Sequence, residues 1–278
     1  GATASYIAGR ALAPASRWAA PLLAAPYVLL PAIMLFLAGM DMHPAIMTLP
    51  WLPLFWLGVA GSLAPGDDTR SLVVSTAALA LVWYAHPAIA AWVMPFWLGA
   101  LGLRWFFLDR TFRGATRVIL AGVALGWLIS YLFVSVSSMQ VHYALKLKDV
   151  TGTIFDSLRE GWAGCWRPLS PPVGKLGNIQ LGYALEVVTL GCLFRLGRNQ
   201  LRGWFFAAAL LGLQLLLTPV PGVSQFAWSL VPAKLIDATN VWPMQRFYLI
   251  IPAAIPVWAA LTLRTWTPTP RNLRVCLV

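Results

Sequence analysis

The chain has 278 residues, of which 59% are hydrophobic and only 10% charged, and its formal net charge is +11. Soluble domains carry about 25% charged residues, so an ordinary soluble globule is excluded and a polytopic membrane protein is expected. The arginines lie in short connections between apolar runs, where they set topology and meet anionic headgroups, so no nucleic-acid partner is expected.

The chain opens "GATASYIAGR", without an initiator methionine or a signal-peptide pattern, and is expected to be a processed chain or a fragment. Eight hydrophobic segments follow, at about 18–39, 45–63, 70–85, 87–103, 117–136, 179–194, 203–219 and 243–263. The stretch Ser71–Leu103 runs 33 residues without a charge, too long for one untilted span. Proline disfavours helix at the residue before it, so "YAHPAIA" predicts two short helices meeting at His86-Pro87. One long broken helix is the other reading, and it would move every later segment to the opposite side.

Arginine placement sets the sides. With a cytoplasmic N-terminus the inner connections hold Arg10, Arg17, Arg70, Arg104, Arg110, Arg113 and Arg117, and later Arg195, Arg198, Arg202, Arg264, Arg271 and Arg274. That is 13 of the 20 Lys and Arg residues, which agrees with the positive-inside rule and puts both termini in the cytoplasm. Two outer loops remain, 137–178 and 220–242. In the first, Ile154, Phe155, Leu158 and Trp162 share a helical face opposite Asp156, Arg159 and Glu160, the pattern of a helix lying on the membrane. "RPLSPPVGKLGN" then forms a Pro/Gly loop leading back to the bilayer. The fold expected is all-α: a transmembrane bundle of about eight spans forming one domain over residues 1–278.

Candidate chemistry gathers at the outer face. Arg246, in "NVWPMQRFYLIIPAAIPVWAAL", sits near the outer end of the last span, with Trp242 and Gln245 beside it. It reads either as a snorkelling side chain or as an anion clamp, since a planar guanidinium grips phosphate with two hydrogen bonds. His86 lies at the outer tip between the third and fourth segments. It is either a capping residue or a proton acceptor, because imidazole titrates near neutrality. Asp41 and His43, in "GMDMHPAIM", share the turn between the first two segments. Asp41 can serve as general base or metal ligand, and the simpler reading makes it a helix cap with His-Pro opening the turn. Glu186 inside the sixth segment is expected to face the bundle interior or water. Asp67-Asp68, in "APGDDTR", looks like the acidic pairs of sugar-nucleotide enzymes, but a solvated cytoplasmic turn is the expectation. "GVALG" at 122–126 is a packing motif of small residues.

Cys165, Cys192 and Cys276 are isolated, so neither a disulfide framework nor a metal site is expected. No phosphate-binding glycine loop, nucleophile elbow, HExxH or dinucleotide fingerprint occurs.

The order "PYVLLPAIM…HPAIMTLPWLPLFWLGV", "STAALALVWYAHPAIAAWVMPFWL" and "FAWSLVPAKL…NVWPMQRFYLIIPAA" resembles the bacterial membrane proteins labelled 6-pyruvoyl-tetrahydropterin-synthase-related. These are similar to the GT-C class of lipid-linked glycosyltransferases. The resemblance covers most of residues 20–260, through loose and mainly hydrophobic motifs. It includes a span ending in a His, as at His86, and a "W…P…PWRF" ending approximated by Pro243, Arg246 and Phe247. It implies a GT-C-like bundle with an outward-opening site that uses a polyprenyl-phosphate sugar, with an acid in the first outer loop as base or metal ligand. That loop lies upstream of "SYIAGRALAPASRWAAPLL" in such proteins, so the chain is expected to lack upstream spans.

The function expected from this resemblance is an inner-membrane GT-C-type glycosyltransferase for envelope polysaccharide or glycolipid synthesis. Asp41 and His86 would be its catalytic residues, and Arg246, Gln245, His43 and Trp242 would bind substrate. No motif demands a cofactor; a divalent cation is the one candidate. The partners expected are a lipid-linked saccharide, membrane lipids and other subunits of envelope polysaccharide synthesis. Alternatives are a polysaccharide ligase or polymerase, a non-catalytic subunit of such a machine, and a transporter.

Overall fold

The computed structural model describes residues 2–12, 43–66, 68–138, 201–217 and 222–232, together with seven positions between 249 and 261. Among the described residues every regular element is a helix. They are α1 (Ala2–Leu12), α2 (His43–Ile46), α3 (Trp51–Ser62), α4 (Thr69–Ala85), α5 (Pro87–Phe107), α6 (Phe112–Ser138), α7 (Leu201–Leu217) and α8 (Val223–Ser229). Asp41, Trp242, Gln245, Arg246, Glu186, the three cysteines and the whole 139–200 stretch lie outside the described residues.

The segment expected over 45–63 is divided. Thr48 donates its hydroxyl to the Ala45 carbonyl at 2.6 Å, and the amides of Trp51 and Leu52 both donate to the Thr48 carbonyl. Thr48 therefore closes α2 and opens α3. Pro50 and Pro53 fit there because the first helical turn needs no amide donors.

The break expected at His86 is present. Its backbone is extended (φ −156°, ψ 95°), its amide donates to Val82 at the end of α4, and its carbonyl accepts from Ile89 and Ala90 at the start of α5. Pro87 occupies the first position of α5, where its fixed φ suits a helix start. One residue thus ends one helix and begins the next. The two fold back on each other: the Trp97 indole donates to the Ser75 hydroxyl at 3.2 Å, and each lies eleven residues from His86 along the chain.

Small residues let α3 approach this hairpin. A Cβ on Gly58 would stand 2.5 Å from the Ser75 amide nitrogen, and one on Gly61 would overlap the Ser71 hydroxyl. Close backbone approach of this kind requires small residues at the contact. Trp56 fills the centre, with no exposed surface, and Phe55, Phe96 and Phe206 stand 5.2, 5.4 and 5.5 Å from it, centroid to centroid. Phe206 brings α7 into the same core. Leu249, Ile250, Ala253, Ala254, Val257, Trp258 and Leu261 are helical and buried in that core. Their spacing is one face of a helix, within the span expected at 243–263.

Among the described residues α5 is the one helix long and apolar enough to cross a membrane; α3, α4 and Leu201–Leu213 of α7 are shorter apolar helices. The eight-span count rests on segments of which several fall outside the described residues.

Candidate functional site

The hairpin has two polar ends, and the described candidate residues divide between them. At the closed end, His86 is half-buried and its Nδ1 is shielded from solvent. Tyr84, two residues before it, is almost fully exposed. Six residues into α5, Trp92 meets Trp228 of α8 edge to face at 6.0 Å. The Trp228 indole donates to the Leu216 carbonyl in the last turn of α7 at 2.9 Å. Gly222, directly before α8, has φ 82°, a conformation that only glycine adopts cheaply. The beginning of the 220–242 loop is therefore a short helix packed toward the His86 end of α5. His43 is the first residue of α2.

The open end holds the charges. The α5 helix runs four residues past its expected end at 103, and α6 starts at Phe112, ahead of its expected start at 117. The arginine-rich connection thus shrinks to 108–111, and Arg104 and Arg117 become helical residues. Arg104 donates through Nη1 to the carbonyls of Ser62 and Ala64, at 2.8 and 2.9 Å, and through Nη2 to that of Gly66, at 2.7 Å. These carbonyls belong to the last residue of α3 and the turn that follows it, where backbone acceptors lack helical donors and a cation is favoured. The Arg104 Nε stands 3.1 Å from Asp68 Oδ2, in ion-pair contact but off the N–H axis. Arg117 Nη1 lies 2.7 Å from both oxygens of Asp68.

Asp68 is 3% exposed and Arg104 7%, which corrects the expectation of a solvated turn at Asp68. The correction has a physical cause: a buried carboxylate is tolerated only when paired, and the chain supplies two guanidinium groups from helices that the turn meets. The signal available in the sequence was the equal spacing of Asp68 and Arg104 about His86.

The connection itself is tightly closed. Thr111 caps α6, its hydroxyl accepting from the Gly114 amide at 3.1 Å, and its own amide donates to Asp109 Oδ1 at 3.2 Å. The Thr111 hydroxyl holds the Asp109 carboxyl below its ordinary value; the Thr111 amide and the charges of Arg104 and Arg117 act the same way, and desolvation opposes them. Arg110 donates from Nε to the Phe106 carbonyl at 3.0 Å and lays its guanidinium 4.7 Å from that ring's centroid.

Chemically, the open end is a clamp. Both oxygens of Asp68 and both Nη groups of Arg104 are occupied, so this cluster joins helix ends and does not present a base. Among the described residues no group of three His, Cys, Asp or Glu side chains is placed to hold a metal ion. No family model, no curated protein and no solved structure matches the chain.

Proposed function

We propose that this chain is a polytopic inner-membrane protein of GT-C type that transfers sugar from a polyprenyl-phosphate carrier at the face bearing His86. The observation that carries the reading is the Trp92–Trp228 contact. It brings the start of the 220–242 loop to the His86 end of the hairpin, while the Asp68–Arg104–Arg117 clamp occupies the other end. The loop leads to Arg246, so a histidine and an arginine suited to phosphate would share one mouth. There Arg246, with Gln245, His43 and Trp242, would hold the lipid phosphate as it leaves. Asp41 would activate the acceptor hydroxyl, alone or through a divalent cation, and His86 would move a proton.

The test is transfer by the purified full chain in proteoliposomes, using a radiolabelled polyprenyl-phosphate sugar. Arg246→Ala should abolish transfer while leaving membrane insertion intact, because loss of a group stabilising developing charge costs roughly 100- to 1,000-fold. Wild-type turnover in that variant would remove Arg246 from the site.

A second reading is a non-catalytic subunit of an envelope polysaccharide machine. Asp68 and Asp109, the two acids among the described residues, both lie at the clamp end, so no described carboxylate serves His86. Absence of transfer by the isolated chain, with a co-purifying partner, favours this reading.

A further inference from the structure

The α6 helix carries an apolar face that the rest of the described chain leaves uncovered. Ile119, Leu120, Val123 and Trp127 are 62–65% exposed, and Phe112, at the foot of the same face, is 88% exposed. Positions 112, 119, 123 and 127 recur at helical spacing, and the stripe from 112 to 127 rises about 22 Å. An uncovered apolar stripe of this length marks an interaction surface.

What covers it is indicated by its foot. The α5–α6 turn places Trp105, Phe106 and Phe107 at the surface beside Phe112, and Arg110 and Arg113 are exposed among them. Arg104 and Arg117 are occupied by Asp68; among the described residues Arg110 and Arg113 of this turn, and Arg70 at the start of α4, are exposed cations. A row of aliphatic side chains ending in aromatic rings and then guanidinium groups follows the polarity profile of a lipid leaflet: acyl chains, glycerol level, phosphate. The turn also stands directly at the end of α5, the described helix long enough to span.

We infer that the α5–α6 turn is an anionic-phospholipid site, with Phe112 and Trp105 at the glycerol level, Arg110 and Arg113 on the phosphates, and the α6 stripe against the acyl chains. The inference rests on the membrane reading above and goes beyond it by naming a headgroup class and the residues that select it. Phe106 contributes indirectly, because its carbonyl and ring hold the Arg110 side chain over the turn.

The experiment uses the full chain with Cys165, Cys192 and Cys276 replaced by Ser, reconstituted in vesicles of phosphatidylglycerol and phosphatidylcholine. Nitroxides are placed in turn at Phe112→Cys and Val123→Cys, and collision with oxygen is compared with collision with a water-soluble nickel complex. The label at 123 should report the hydrocarbon and the label at 112 the headgroup boundary. Spin-labelled phosphatidylglycerol should associate in preference to phosphatidylcholine, and each of Arg110→Gln and Arg113→Gln should lower that preference roughly five-fold. Arg113→Gln serves alone if Arg110→Gln misfolds, since Arg113 is exposed whereas Arg110 is held by Phe106.

A hydrocarbon signal at 123 with an aqueous signal at 112, or an unchanged lipid preference in the arginine variants, overturns the site and leaves the membrane reading standing. An aqueous signal at 123 overturns both. Shielding of both labels from both reagents means that a second copy or another protein covers the stripe, and this too overturns the inference.

Discussion

Asp68 and Arg104 stand in ion-pair contact, Oδ2 to Nε at 3.1 Å, and each lies eighteen residues from His86 on opposite sides of it. Eighteen helical residues rise about 27 Å, close to the roughly 30 Å of a hydrocarbon core. The contact therefore closes a hairpin whose arms are about as long as a hydrocarbon core is thick, with one histidine at its bend and a buried charge cluster at its open end.

Arg104 is expected to be the most sensitive charged residue among those described. Arg104→Ala removes the donors of the Ser62, Ala64 and Gly66 carbonyls and leaves Asp68 with Arg117 alone. Breaking a buried pair from one side costs about 3–5 kcal/mol, read as a lowered unfolding midpoint in detergent. Arg104→Lys keeps the charge but cannot reach three carbonyls through a planar fork, so it should recover only part of the loss. A lysine variant as stable as the wild type would show that the fork geometry is not used.

Two glycine substitutions should differ in sign. Gly58→Ala drives a methyl against the Ser75 backbone, and overpacking of this kind costs about 1–3 kcal/mol. Gly102→Ala, inside α5 with nothing within 4 Å of the added methyl, should be neutral or stabilise by up to about 1 kcal/mol through helix propensity. Equal effects in thermal unfolding would mean that α3 does not approach α4 as closely as described.

The break at His86 was legible because proline carries its own instruction: it fixes its φ and disfavours helix at the residue before it. The connection 104–116 was not legible for the opposite reason. Charge in an apolar chain ordinarily signals a helix end, so the sequence places Arg104 and Arg117 in an inner connection that sets topology. Here Asp68 and three carbonyls satisfy them, so the helices continue past them. The division at 47–50 depended on a single threonine bonded three residues back, too local a feature for a hydrophobicity pattern to register. Of the outer-face candidates, His86 is placed at the hairpin bend with its surroundings, and His43 through its backbone alone as the start of α2.

Asp109 should leave a pH signature. Its carboxyl sits below the ordinary 3.8, chiefly through the Thr111 hydroxyl. A folded value below the unfolded one stabilises the fold above the unfolded value, and that contribution is lost as pH falls through the folded value. Stability should therefore be flat in this group above about pH 5 and decline in strong acid. Thr111→Val, which removes the hydroxyl, should shrink that decline in pH-dependent melts. Parallel profiles for variant and wild type would assign the acid sensitivity to other groups.

His86→Gln should lower sugar transfer roughly 100-fold or more if the imidazole moves a proton in the reaction. The fold should be kept, because the break at that position is imposed by Pro87 and by backbone hydrogen bonds. Full transfer activity in this variant would reduce His86 to a bend residue.

The most direct test of the account is sided labelling of the hairpin in intact cells, in a background with Cys165, Cys192 and Cys276 replaced by Ser. An impermeant maleimide added outside should modify Tyr84→Cys, beside the bend, and should leave Arg110→Cys untouched until the membrane is opened. Modification of Arg110→Cys from outside, with Tyr84→Cys protected, would invert the two ends and contradict the placement of His86 at the outer mouth.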